Sequence, residues 1–139
     1  MDSANNSLDL DLAEERFAQS VDLTVGLEEE FSILDRASLD LVPGFERMST
    51  AARQRDPFLH EGITGELISS EIEIRSGRSE DLGDAFARQR DRRRRLFALA
   101  DAEGYALGAT GTHPWADYRE QEIIDTDHYR RVSEGLRYV

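Results

Sequence analysis

Three observations predict an α+β fold. Residues 21–34 (VDLTVGLEEEFSIL) alternate apolar and polar side chains with a period of two, and residues 65–75 (GELISSEIEIR) do so again. Residues 80–103 carry an apolar stripe at helical spacing between recognisable end signals. With 39% hydrophobic and 33% charged residues, the 139-residue chain has a globular balance and enough apolar surface for one domain's core.

Taken in order, residues 1–21 form an acidic arm with scattered Leu, read as a mobile segment or a short amphipathic helix outside the core. Residues 22–139 are the folded unit. In the first strand Leu23, Val25, Leu27, Phe31 and Ile33 share one face with Glu29, so Glu28 and Glu30 lie on the other, about 6–7 Å apart along the strand. Residues 35–41 (DRASLDL) are a polar connector of hairpin type, and Pro43 and Gly44 introduce a helix over 45–55 with Phe45, Met48 and Ala52 on one side. In the second strand Leu67, Ile72 and Ile74 are apolar and Glu71 and Glu73 share the alternate face. Ser79 is placed to cap the long helix and Gly104 to end it. The helix stripe is Leu82, Phe86, Leu96, Phe97 and Ala100, and the helical period puts Arg93 near its centre, facing inward as half of an ion pair that ties helix to sheet. The rest of RDRRRR reads as a solvated face with local pairs such as Asp91 with Arg95. A strand of small residues over 105–110, a loop (GTHPWADYR) and a last helix from about Asp127 complete the chain.

Composition excludes several kinds of chemistry. All 17 basic residues are Arg, so a P-loop lysine and a Schiff-base lysine are ruled out. With no Cys there is no disulfide, thiolate nucleophile or Cys-bound zinc. A net charge of -12 and a pI near 4.6 disfavour nucleic acid and anionic membranes as partners. The acidic start does not read as a signal peptide and no apolar run reaches membrane-spanning length, so the expectation is a cytoplasmic protein.

Strands ordinarily disfavour Glu, yet both strand candidates carry carboxylates on one face. If the two strands neighbour each other, Glu28, Glu30, Glu71 and Glu73 converge, and their repulsion raises their pKa values unless a cation neutralises them. Hard divalent ions such as Mg²⁺ take carboxylate and phosphate oxygens in this way. The plainer alternative is solvation of an edge strand in an acidic protein.

Four blocks in order, VGLEEEF (25–31), ELISSEIEI (66–74), ATGTHPWADY (109–118) and DTDHYRR (125–131), resemble the carboxylate-amine ligase family of glutamate-cysteine ligases over residues 23–139. The resemblance implies a glutamine-synthetase-like catalytic fold: an antiparallel sheet forming a funnel for ATP and Mg²⁺ or Mn²⁺, with helices packed on its outer face. It implies ATP-dependent joining of L-glutamate to L-cysteine through an acyl phosphate, giving γ-glutamylcysteine as in glutathione synthesis. By motif, Glu28, Glu30 and Glu73 match metal ligands and Glu66 matches an acidic position of the active site. Glu71 matches none. His113 in GTHPW is a candidate acid, base or ligand, although beside Pro114 and Trp115 it equally suits a packed turn; His60 and His128 have no supporting constellation. Small-molecule substrates are the implied partners, with a homo-oligomer as a further possibility.

The chain departs from the family in length. Members run well over twice as long, and the histidine-rich strand, the further glutamate and the arginines that grip nucleotide and substrate have no counterpart here. The apolar finish Gly135, Leu136, Arg137, Tyr138 and Val139 reads as an interrupted domain. Exposed strand edges are then expected, with instability, aggregation or dimerisation in isolation. The alternative from another class is a non-catalytic cation-binding module of the same fold.

Overall fold

A computed structural model describes residues 9–136. Its elements are α1 (Leu10–Ala18), β1 (Glu28–Asp35), α2 (Phe45–Arg55), α3 (Pro57–Gly62), β2 (Ile63–Gly65), β3 (Glu71–Arg75), α4 (Leu82–Glu103), β4 (Tyr105–Gly108), a 3₁₀ turn (Tyr118–Glu120) and α5 (Asp127–Leu136). The strands form one antiparallel sheet in the order β2-β3-β1-β4. This is the α+β class. The apolar finish at Arg137, Tyr138 and Val139 lies outside the described residues.

Register gives the sheet two unlike faces. Phe31 stands opposite Ile72, Glu29 opposite Ile74 and Ile33 opposite Leu107, while the alternate positions pair Glu28 with Arg75, Glu30 with Glu73 and Ser32 with Glu71. The apolar set packs under α2, α3 and α4: Phe31, Ile33, Met48, Leu59, Ile72, Ile74 and Leu96 are all fully buried. Each such side chain stabilises the fold by roughly 1.5–3 kcal/mol through removal from water. The acidic set is left on the opposite face.

Local chemistry explains most element ends. Helix α2 begins where expected, at a glycine whose absent side chain matters: a Cβ on Gly44 would lie 2.7 Å from the Ile33 side chain. The short helix α3 was not anticipated; Pro57 sits in its first turn and the Asp56 carboxylate accepts from Leu59 N–H at 3.1 Å. Gly104 ends α4 in the left-handed conformation at φ +85°, as predicted.

Four expectations need correction. First, β1 starts at Glu28 rather than near Val21, because Leu23 takes a positive φ of 66° and stands 93% exposed, leaving Val25 to make an isolated pair with Ser79. Second, the single strand over 65–75 is divided. Residues 66–70 turn away to bond the segment 122–124, Leu67 C=O accepting from Ile124 N–H and Ser69 N–H donating to Glu122 C=O, so only Glu71–Arg75 continues the ladder with β1. Third, Ser79 does not cap α4: its backbone is engaged with Val25, the helix starts two residues later, and Asp81 accepts from Asp84 N–H at 2.8 Å instead.

Fourth, the buried stripe of α4 is Ala85, Gln89, Arg92, Leu96, Leu99 and Ala100, whereas Leu82 and Phe86 are over half exposed. Arg92, not Arg93, is the inward arginine. The reason is polar: the helix crosses the end of the β1–β3 pair, where Gln89 donates to Glu29 and to the Ile74 carbonyl, both at 3.1 Å, and Arg92 donates to the Arg75 carbonyl. Arg93 nonetheless makes the anticipated kind of tie, pairing with Glu29 at 2.6 Å over the rings of Phe31 and Phe97 from a half-exposed position. Asp91 pairs with Arg95 at 2.7 Å.

No described helix is long and apolar enough to cross a membrane. Helix α1 buries none of its residues.

Candidate metal centre

The acidic face of the sheet is made by strand parity. Glu30 and Glu73 are direct partners across the β1–β3 ladder, so their side chains leave the sheet on the same side. Glu66 follows the last residue of β2, the strand on the other side of β3, where the chain swings away from the ladder. The result is a triad: Glu30, Glu66 and Glu73 each offer one carboxylate oxygen, all within 4.8 Å of one another. Glu30 is exposed, Glu66 half-buried and Glu73 buried.

This grouping is electrostatically costly without a cation. Burial, then the charges of Glu28 and Glu66, push the Glu73 carboxyl up to about 7 from an ordinary 4.5, and Arg75, 3.6 Å away, offsets only part of this. Glu71 is raised as well, by burial and then by the charges of Glu30 and Glu66. Tyr129 on α5 feels the same field: burial, followed by Glu66, Glu73, Glu30 and Glu71, raises its phenol, whose O–H donates to the Gly65 carbonyl at 3.0 Å. The sequence reading did not single out Tyr129. Its block DTDHYRR was visible, but nothing in the spacing shows that α5 folds back against the end of β2.

The other candidates are placed as follows. Glu28 lies on the acidic face opposite Arg75, outside the triad but near enough to act on Glu73 through its charge. Glu29 points to the helices, as the period of two required, and is held there by Gln89 and Arg93. His113 lies in the loop after β4 with both ring nitrogens engaged: Nδ1 accepts from Ala116 N–H at 3.2 Å and Nε2 is 2.9 Å from the Leu39 carbonyl. Its ring meets Trp115 edge-on, and Trp115 donates to Asp40 at 2.8 Å. This is the geometry of a packed turn. The turn forms one wall of a cavity of about 250 Å³, which Ser32 and Glu71 bound from the acidic face and Thr112, Tyr118 and Gln121 bound from the loop.

The triad's donor set suits a hard divalent cation. Such ions take carboxylate oxygens, and Glu30, Glu66 and Glu73 are the residues that would hold one. Three carboxylates would leave coordination positions for water or phosphate oxygens.

The family model described as Glutamate-cysteine ligase family 2 matches residues 24–138. Two relatives from Rubrobacter xylanophilus, named "Putative glutamate--cysteine ligase 2-1" and "2-2", are 34% and 36% identical over 116 residues, covering 84% of this chain and 30% and 29% of their own lengths. One from Solibacter usitatus, named "Putative glutamate--cysteine ligase 2", is 33% identical over 117 residues, 84% of this chain and 30% of its own. The chain thus spans about 30% of the length of the curated relatives it matches. No solved structure matches it. By the extent of the family match, which covers residues 24–138, this chain belongs to glutamate-cysteine ligase family 2.

Proposed function

We propose that this chain supplies the carboxylate half of a metal-dependent ligation site, in which ATP activates the γ-carboxylate of L-glutamate for attack by the amine of L-cysteine. The observation that carries the reading is the triad of Glu30, Glu66 and Glu73, whose mutual repulsion and burial a divalent cation relieves. Glu30 and Glu73 face each other across the β1–β3 ladder, Glu28 lies on the same face two residues along β1, and Glu66 completes the triad and raises Glu73 through its charge. Mg²⁺ or Mn²⁺ held there would screen the charge of a transferring phosphoryl group. The chain's own residues hold and orient these carboxylates: Glu29 anchors the middle of the E-E-E run to α4, which turns Glu28 and Glu30 outward.

In this reaction the γ-phosphoryl moves from ATP to the glutamate carboxylate, leaving ADP; the amine then attacks the carbonyl carbon and expels phosphate. The names of the relatives support cysteine as the amine. His113 has no free nitrogen for acid-base work in this arrangement, so Glu66 is the stronger candidate for a role beside the metals. A cytoplasmic setting, where ATP and both amino acids are available, belongs to the same reading.

The test is ADP release by this chain with Mn²⁺ or Mg²⁺. Release that requires both glutamate and cysteine establishes the ligase. Mn²⁺ binding without turnover supports a metal site that needs further sequence for catalysis, or the non-catalytic module. Absence of Mn²⁺ binding removes the proposal.

A further inference from the structure

We propose that the outer face of α4, with the groove beside it, is a docking surface for helix α1 of a second copy of this chain, the two copies exchanging their first helices. The surface is the stripe that the helical period picks out and the core does not use. Leu82, Phe86, Arg90, Arg93 and Phe97 lie within about 80° of one another around the helix axis. The core takes another face of α4, so Leu82 and Phe86 stay more than half exposed and Phe97 over a third. Beside this stripe Leu27 and Phe86 line a groove of about 640 Å³ together with Gln89, Arg90 and Arg93, with room for several large side chains. Two carboxylates also line it: Glu29, already paired with Arg93, and Glu28, which stands opposite Arg75 on the sheet. Arg90 has no ion pair among the described residues.

Helix α1 is complementary in shape and charge. It buries none of its residues, and Leu10 and Phe17 are 69% and 81% exposed. With Ala13 they form one apolar face at the spacing i, i+3, i+7, and Glu14 and Asp11 border that face without an ion pair among the described residues. A helix of nine residues is marginal by itself in water and gains its stability from a surface that covers its apolar side. Residues 9–17 (DLDLAEERF) hold four carboxylates and one arginine, whereas 88–95 (RQRDRRRR) hold six arginines and one aspartate. Of those six, Arg92 points inward and Arg88, Arg93, Arg94 and Arg95 pair within the chain, which leaves Arg90 for Asp11 or Glu14 of the incoming helix.

A second copy supplies the helix because the same chain's α1 has the groove within reach and leaves it open. Leu27 lines the groove, and only residues 19–27 separate α1 from β1, yet α1 stays fully uncovered. Exchange between two copies uses one contact twice, which is the closed arrangement of a two-fold dimer. Helix α1 lies ahead of residues 24–138, which the family model matches, and holds no member of the carboxylate triad.

The experiment is sedimentation equilibrium of the full chain at about 1–100 μM, with three variants. The parent is expected to dimerise. Leu10→Ser/Phe17→Ser alters a helix that contributes nothing to the core, and Arg90→Glu alters an exposed position; each is expected to weaken the dimer about tenfold or more. Adding Asp11→Arg and Glu14→Arg to Arg90→Glu is expected to recover most of that loss, which damage to the fold would not do. A monomeric parent overturns the proposal. So does a dimer that Leu10→Ser/Phe17→Ser leaves intact, since the contact is then at a strand edge or between two copies of α4. Failure of the charge exchange to recover the dimer overturns the pairing of α1 with α4.

Discussion

At the scale of single residues, Glu73 carries the most stress. Its carboxyl is raised from 4.5 to about 7 by burial and by Glu28 and Glu66, so the folded chain holds a proton there that the unfolded chain releases. The linkage has a definite sign. Stability from the protonated form is fully present below about pH 4.5 and is lost as pH rises through 7, a change of about 3 kcal/mol for the metal-free chain. Urea unfolding at pH 5 and pH 8 checks this, and equal midpoints would contradict it. Replacing Glu73 by Gln should remove most of that dependence and stabilise the metal-free chain at pH 8, readable as a raised urea midpoint. The residue pattern made Glu30 and Glu73 legible, because strand parity alone puts them on one face. It could not distinguish Glu71 from Glu73, since both obey the same parity; what separates them is the position of Glu66, set by the break after β2.

Among the elements, β1 and α4 form the scaffold that aims the site. The Glu29 contacts to Arg93 and Gln89 join them, but Arg93 is half exposed, so solvent screens the pair. An Arg93→Ala change is expected to cost less than about 1 kcal/mol in urea unfolding. By contrast Ile72→Ala, in the fully buried centre of β3, should cost about 2–5 kcal/mol. A reversal of that order would mean that the helix is held to the sheet by charge rather than by apolar contact. Elements with local signals were readable: α2 by Pro43 and Gly44, the end of α4 by Gly104, the start of α5 by Asp127. Those decided by distant partners were not. The division of 65–75 depends on the segment 122–124, and the face of α4 depends on polar groups at the sheet end that Gln89 and Arg92 satisfy. A helical wheel counts apolar residues and has no knowledge of such groups.

For the whole molecule, an apolar face is covered by three helices while the acidic face carries the candidate chemistry, and β2 and β4 are the outer strands of the sheet. Large apolar side chains remain at the surface, among them Leu82 and Phe86 at more than half exposure. Size-exclusion chromatography is therefore expected to show dimers or larger species at micromolar concentration. A monomer with a sharp, reversible thermal transition would contradict that expectation. The α+β class was legible from the strand alternation and the helix stripe, and the family from four short blocks, whereas the relation of α5 and Tyr129 to the carboxylates required the folded chain.

The most direct measurement is a calorimetric Mn²⁺ titration at pH 8 of the parent chain and of a Glu30→Gln/Glu73→Gln variant. Saturable binding by the parent, lost in a variant that keeps its far-ultraviolet circular dichroism, is the predicted result. Equal binding by the two proteins would contradict the assignment of the metal site to the face shared by β1 and β3.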